Sequence, residues 1–113
     1  MQPRFAQQMK KGALDMLVLK LLQYDEKYGY QLISELRDRT EGALTLKEGT
    51  LYPILYRLED GGLVRSRMSS HAAKEPARKY YVITEEGRCA LREMYGLWSE
   101  FDGHVRSIME EKR

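Results

Sequence analysis

Lys47-Glu48-Gly49-Thr50-Leu51-Tyr52-Pro53-Ile54-Leu55-Tyr56-Arg57-Leu58-Glu59-Asp60-Gly61-Gly62 is the stretch on which the fold turns. Leu51, Ile54, Leu55 and Leu58 recur at helical spacing and make one apolar stripe, so a helix runs from about Lys47 to Asp60. Thr50, Tyr52, Pro53, Tyr56 and Arg57 lie on the opposite side. A proline ring crowds the carbonyl four residues before it, and Gly49 stands there, giving the backbone room to adjust. Gly61-Gly62 supplies the stop.

Upstream, Leu14, Leu17, Val18, Leu21 and Leu22 mark a first helix over 12–24, broken by the polar run from Asp25 to Gly29. A second helix is expected over 30–40, with Tyr30, Leu32, Ile33 and Leu36 facing inward and Glu41-Gly42 closing it. Downstream, Leu63–Met68 and Lys79–Ile83 read as strands, rich in β-branched and aromatic residues. The segment between them has no apolar pattern and reads as a hairpin tip. Thr84 is a good N-cap for a last helix over about 85–110, with Glu85 and Glu86 at the positive end of its dipole. In that helix Leu91, Met94, Trp98, Phe101, Val105 and Ile108 are spaced 3, 4, 3, 4, 3, the rhythm of a coiled-coil seam. The fold class is therefore mainly α with a β-hairpin (α+β): a winged helix-turn-helix over 1–84 followed by a C-terminal dimerisation helix over 85–113.

The bulk composition is nearly neutral, with 19 basic and 17 acidic residues among 113. The charge is unevenly placed. Residues 1–14 carry Arg4, Lys10 and Lys11 without an acid, and residues 63–84 carry Arg65, Arg67, Lys74, Arg78 and Lys79 against Glu75 alone. Positive charge gathered in two short segments is a local electrostatic footprint. One cysteine, Cys89, leaves no intrachain disulfide and favours a reducing compartment. No apolar run could span a bilayer and the polar N-terminus is no signal peptide, so a soluble, cytoplasmic protein with no membrane partner is expected. His71 and His104 have no paired nucleophile or ligand spacing, and no glycine-rich phosphate loop occurs, so no catalytic residue, metal site or cofactor is expected.

In a helix-turn-helix the second paired helix enters the major groove and presents its N-terminal half to base edges. Here that is the 47–60 helix. Arg57 suits a guanine or a phosphate, the Tyr52 and Tyr56 hydroxyls suit phosphate oxygens, and Thr50 suits a base edge or a thymine methyl. Lys47 and Pro53 complete this face. The alternative for Tyr52 and Tyr56 is packing against the hairpin. Lys74, Arg78 and Lys79 in the hairpin can reach phosphates or the minor groove, and a solvated charged loop is the competing reading. Tyr28 is ambiguous, and Tyr30 is expected to be mostly core with its hydroxyl reaching the duplex backbone.

Three runs together resemble the PadR family of regulators: Gly49-Thr50-Leu51-Tyr52-Pro53 continuing through Leu55-Tyr56-Arg57-Leu58-Glu59 to Gly62-Leu63-Val64, Arg78-Lys79-Tyr80-Tyr81 with Ile83-Thr84 and Gly87, and Tyr28-Gly29-Tyr30. The match covers roughly residues 12–108 and departs from the family where Lys47-Glu48 replaces the usual Ser-Pro. The resemblance implies a transcriptional regulator, by family expectation a repressor, that binds double-stranded DNA as a homodimer on an inverted-repeat operator. The single C-terminal helix is similar to the small subfamily, and Trp98-Ser99 with Asp102 is similar to a multidrug-binding member whose tryptophans face each other across a pore. On that resemblance a small aromatic or hydrophobic effector stacks beside Trp98, with Met94, Phe101 and Asp102 lining the space. Plain sealing of a dimer interface by the indole is the other reading. A winged-helix protein-interaction module without DNA binding is the functional alternative, and steep salt dependence of duplex binding separates the two.

Overall fold

The structure is a computed structural model, and it describes residues 9–69 and 76–112. Its elements run α1 (Ala13–Leu22), β1 (Lys27–Tyr28), α2 (Gly29–Arg39), α3 (Glu48–Asp60), β2 (Val64–Ser69), β3 (Arg78–Ile83) and α4 (Glu85–Met109). The described residues are α+β: these four helices and one antiparallel sheet in the order β1-β3-β2. The winged helix-turn-helix expectation holds, with boundaries moved by one or two residues.

α1 buries Leu14, Met16, Val18, Leu19, Leu21 and Leu22, more than one stripe, because it runs through the middle of the domain. Leu32, Ile33 and Leu36 of α2, with Leu51, Ile54, Leu55 and Leu58 of α3, close on it, and Val64, Tyr81 and Ile83 cap the core from the sheet. One expectation fails, and one element was not foreseen. Tyr30 is 61 % exposed rather than facing inward, because α2 starts at Gly29 and its buried stripe is carried by Leu32, Ile33 and Leu36. The polar break at 25–29 contains β1, whose Lys27 and Tyr28 pair with Tyr81 and Tyr80. Two residues are too short to show a period-2 pattern.

The helix ends follow from local chemistry. Tyr28 N–H donates to the Gln31 side-chain oxygen at 3.0 Å, closing the first turn of α2. α3 ends in a Schellman turn: Leu63 N–H donates to Leu58 C=O at 2.9 Å, Gly62 N–H to Glu59 C=O at 3.0 Å, and Gly62 takes φ 76°. Thr84 then ties α4 to that turn. Its hydroxyl accepts from Gly87 N–H at 2.9 Å and donates to Gly62 C=O at 2.7 Å, while its own N–H donates to Leu63 C=O at 3.0 Å. A Cβ on Gly87 would stand 2.1 Å from the Leu63 carbonyl oxygen, so this crossing requires glycine.

The base of α4 belongs to the core. Leu91 is buried and Met94 packs half-buried against it, and beyond them the helix leaves the body, giving a long molecule of 67 × 31 × 21 Å.

Candidate nucleic-acid interface

α3 lies with its leucine stripe inward, so Gly49, Thr50, Pro53, Tyr56 and Arg57 are exposed along one side. Pro53 sits inside the helix, one turn after Gly49, and the helix continues through it. Lys47 is the exposed N-cap.

The two tyrosines of this helix separate. Tyr52 is half-buried and its ring lies over the backbone of Gly29 at the start of α2, so close that a Cβ there would stand 2.5 Å from the hydroxyl oxygen. Burial raises its pKa above the usual phenol value, with Glu48 and Tyr56 adding to the effect. It remains a neutral hydroxyl near the mouth of α2. Tyr56 is 51 % exposed, with its ring 6.1 Å from that of Tyr52.

Alternation along β3 sends its cations to opposite sides of the sheet. Lys79 joins α3: its ammonium lies 5.6 Å from the Tyr56 ring centroid and 3.8 Å from a Glu59 carboxylate oxygen. Glu59 also accepts from the Ser66 hydroxyl at 2.5 Å, so β2, β3 and α3 meet at one carboxylate. Arg78 turns the other way and stacks 4.6 Å from the Tyr28 ring centroid. Tyr28 meets Tyr80 edge to face at 5.4 Å, and Arg67 stacks on Tyr80 at 5.1 Å while pairing with Glu26. Arg65, also exposed, shares this outer face by its register. Lys74 lies outside the described residues.

Arg57, on the exposed side of α3, has a partner that its sequence position does not reveal. Arg57 Nη2 donates to Asp15 Oδ1 of α1 at 2.8 Å. Partners this far apart in the chain leave no periodic trace.

Along α4, Trp98, Phe101, Val105 and Ile108 are exposed, as are Tyr95 and Leu97 on either side of them, so the apolar stripe is broader than the seam read from spacing. Asp102 is half-buried and accepts from Arg106 Nε at 3.0 Å. The concave space nearby is a groove of about 450 Å³ between α1 and the base of α4, lined by Met16, Leu17, Lys20, Leu91, Arg92 and Tyr95 among others. Trp98, Phe101 and Asp102 stand beyond it. No group of three His, Cys, Asp or Glu side chains suited to a metal ion occurs among the described residues, and no helix among them is long and apolar enough to cross a membrane.

A family model described as the PadR-like family of transcriptional regulators matches residues 18–93. A crystal structure of a PadR family transcriptional regulator from Eggerthella lenta is 34 % identical, with a TM-score of 0.84 over 96 % of this chain and 92 % of that one. A transcriptional regulator from Clostridium thermocellum superposes with a TM-score of 0.82 at 28 % identity, over 88 % of this chain and 96 % of the other. The transcriptional regulator YqjI of Escherichia coli is 32 % identical over 82 residues, which are 73 % of this chain and 37 % of that longer protein.

Proposed function

The chain belongs to the PadR-like family of transcriptional regulators, whose members are not enzymes, and we propose that it is a ligand-responsive repressor binding an inverted-repeat operator as a homodimer. The observation that carries the DNA reading is the contact of Lys79 with Tyr56, at 5.6 Å, which merges the root of the wing and the exposed side of α3 into one surface. Thr50, Pro53 and Tyr56 meet base edges and the groove wall, Lys47 and Tyr30 meet phosphates at the helix mouths, and the cations of the wing add a sequence-independent attraction. Tyr52 holds α2 and α3 at a fixed angle through Gly29, with its hydroxyl at the edge of the contact. Arg78, backed by Tyr28, carries the charge on the flank.

Residues 1–84 form the DNA-binding unit and 85–113 the dimerisation helix, whose base is shared with the core. The exposed Trp98, Phe101, Val105 and Ile108 are covered by the second subunit, and the two copies of α3 then stand one duplex turn apart. A flat aromatic effector stacks on Trp98, beside Met94, Phe101 and Asp102, and changes that spacing by preferring one dimer geometry over another.

The test is duplex binding by fluorescence anisotropy across salt concentrations. Wild type binds with steep salt dependence, Lys79→Ala weakens binding to every sequence alike, and Thr50→Ala lowers affinity for the operator more than for random duplex. Absence of duplex binding at low salt overturns the reading in favour of a protein-interaction module. For the effector, a flat aromatic cation quenches the fluorescence of Trp98, the one tryptophan. Unchanged emission at millimolar ligand contradicts it.

A further inference from the structure

Asp15 lies in the first turn of α1, and its carboxylate accepts the Arg57 guanidinium across 42 positions of sequence. The pair is lopsided. The aspartate side chain is 21 % exposed and the arginine 62 %, so the acid is fixed against the body while the cation remains open to solvent. An ion pair with so exposed a partner contributes little to folding. Arg57 follows Thr50 by seven residues, which places the two on one row of α3 about 10 Å apart at the ordinary rise of an α-helix. A duplex seated on Thr50 therefore brings its phosphates within reach of a long side chain on that row. A guanidinium binds phosphate and carboxylate with the same fork of donors.

We propose that Asp15 is a tempering residue for DNA binding: its carboxylate holds the Arg57 guanidinium in the free protein and yields it to a phosphate when duplex docks. This rests on the DNA-binding reading above and names a residue outside the helix-turn-helix pair that sets its strength. The exchange trades one anion for another at Arg57, so the arginine adds nothing net while Asp15 is charged. Removing that charge turns Arg57 into a full phosphate contact.

The experiment compares full-length wild type with Asp15→Asn, Asp15→Ser and Asp15→Glu on a random-sequence duplex of thirty base pairs, by anisotropy from low to moderate salt. Both neutral variants bind about threefold more tightly at low salt, the gain expected from releasing an exposed ion pair. Their log–log salt slope steepens by about one, as for one added phosphate contact. Asp15→Glu behaves as wild type, and in an Arg57→Ala background Asp15→Asn no longer tightens binding. Neutral variants that bind as wild type or more weakly, with melting temperatures unchanged, overturn the proposal, and so does tightening that persists without Arg57. Wild type that fails to bind duplex at all instead overturns the DNA-binding reading itself.

Discussion

One side chain carries a cost that the fold accepts. Tyr81 is fully buried and its hydroxyl has no hydrogen-bond partner among the described residues. A buried unpaired hydroxyl is unfavourable, so Tyr81→Phe is expected to stabilise the protein by about 1 kcal/mol in thermal or urea unfolding. Burial, followed by the nearby Tyr56, Glu59 and Tyr52, pushes the phenol up from 10.0 to about 12. Between those values the unfolded chain binds fewer protons than the native one, so stability is complete below pH 10 and falls as pH rises toward 12. Tyr81→Phe should flatten that part of the pH profile, and an equally steep fall in the variant would contradict the assignment. Gly87 is the opposite case, a position where addition is not tolerated. With the Leu63 carbonyl oxygen 2.1 Å from where a Cβ would lie, Gly87→Ala must push α4 off the α3–β2 turn. A loss of about 2 kcal/mol is expected, as for overpacking a filled site, and a variant melting within a degree of wild type would refute it. The glycine was visible in the sequence, but a backbone crossing between residues 63 and 87 was not.

At the scale of elements, period and caps were the legible part. The leucine stripe of α3, its double-glycine stop, the two longer strands and the Thr84 cap all stand where spacing put them, because each is a local decision by neighbouring residues. What escaped were features decided by distant partners. β1 exists only because Lys27 and Tyr28 lie beside Tyr81 and Tyr80, and Tyr30 points outward because the core is already filled by leucine and isoleucine. The wing cations looked like one cluster in sequence, yet Arg78 and Lys79 lie on opposite faces of a strand. α4 had a legible seam with a mixed fate. Leu91 and Met94 went to the core, while Phe101 at 66 % and Ile108 at 70 % exposure were left uncovered. A half-turn of apolar surface in water calls for a partner. Phe101→Glu is expected to leave secondary structure unchanged and to shift the protein from dimer to monomer at micromolar concentration in analytical ultracentrifugation. A variant that sediments as wild type would contradict the placement of the interface on this stripe.

The whole molecule is an asymmetric object: a packed body that carries the exposed side of α3 at one place and a projecting helix at another. Nearly balanced total charge hides this arrangement, since α3 itself holds Glu48, Glu59 and Asp60 against Arg57, and the excess of cations lies on the strands. In the proposed complex affinity comes from the cations of the wing, and sequence preference from the few uncharged groups of α3. In the proposed dimer, pairing two such bodies through α4 converts one short contact into two, at a separation fixed by the pairing. Selection of bound duplexes from a random-sequence pool by the protein reads that spacing. Enrichment is expected of an inverted repeat whose half-site centres lie about 10 base pairs, one helical turn, apart, or a multiple of that. Recovery of unrelated sequences with no repeated half-site would contradict it.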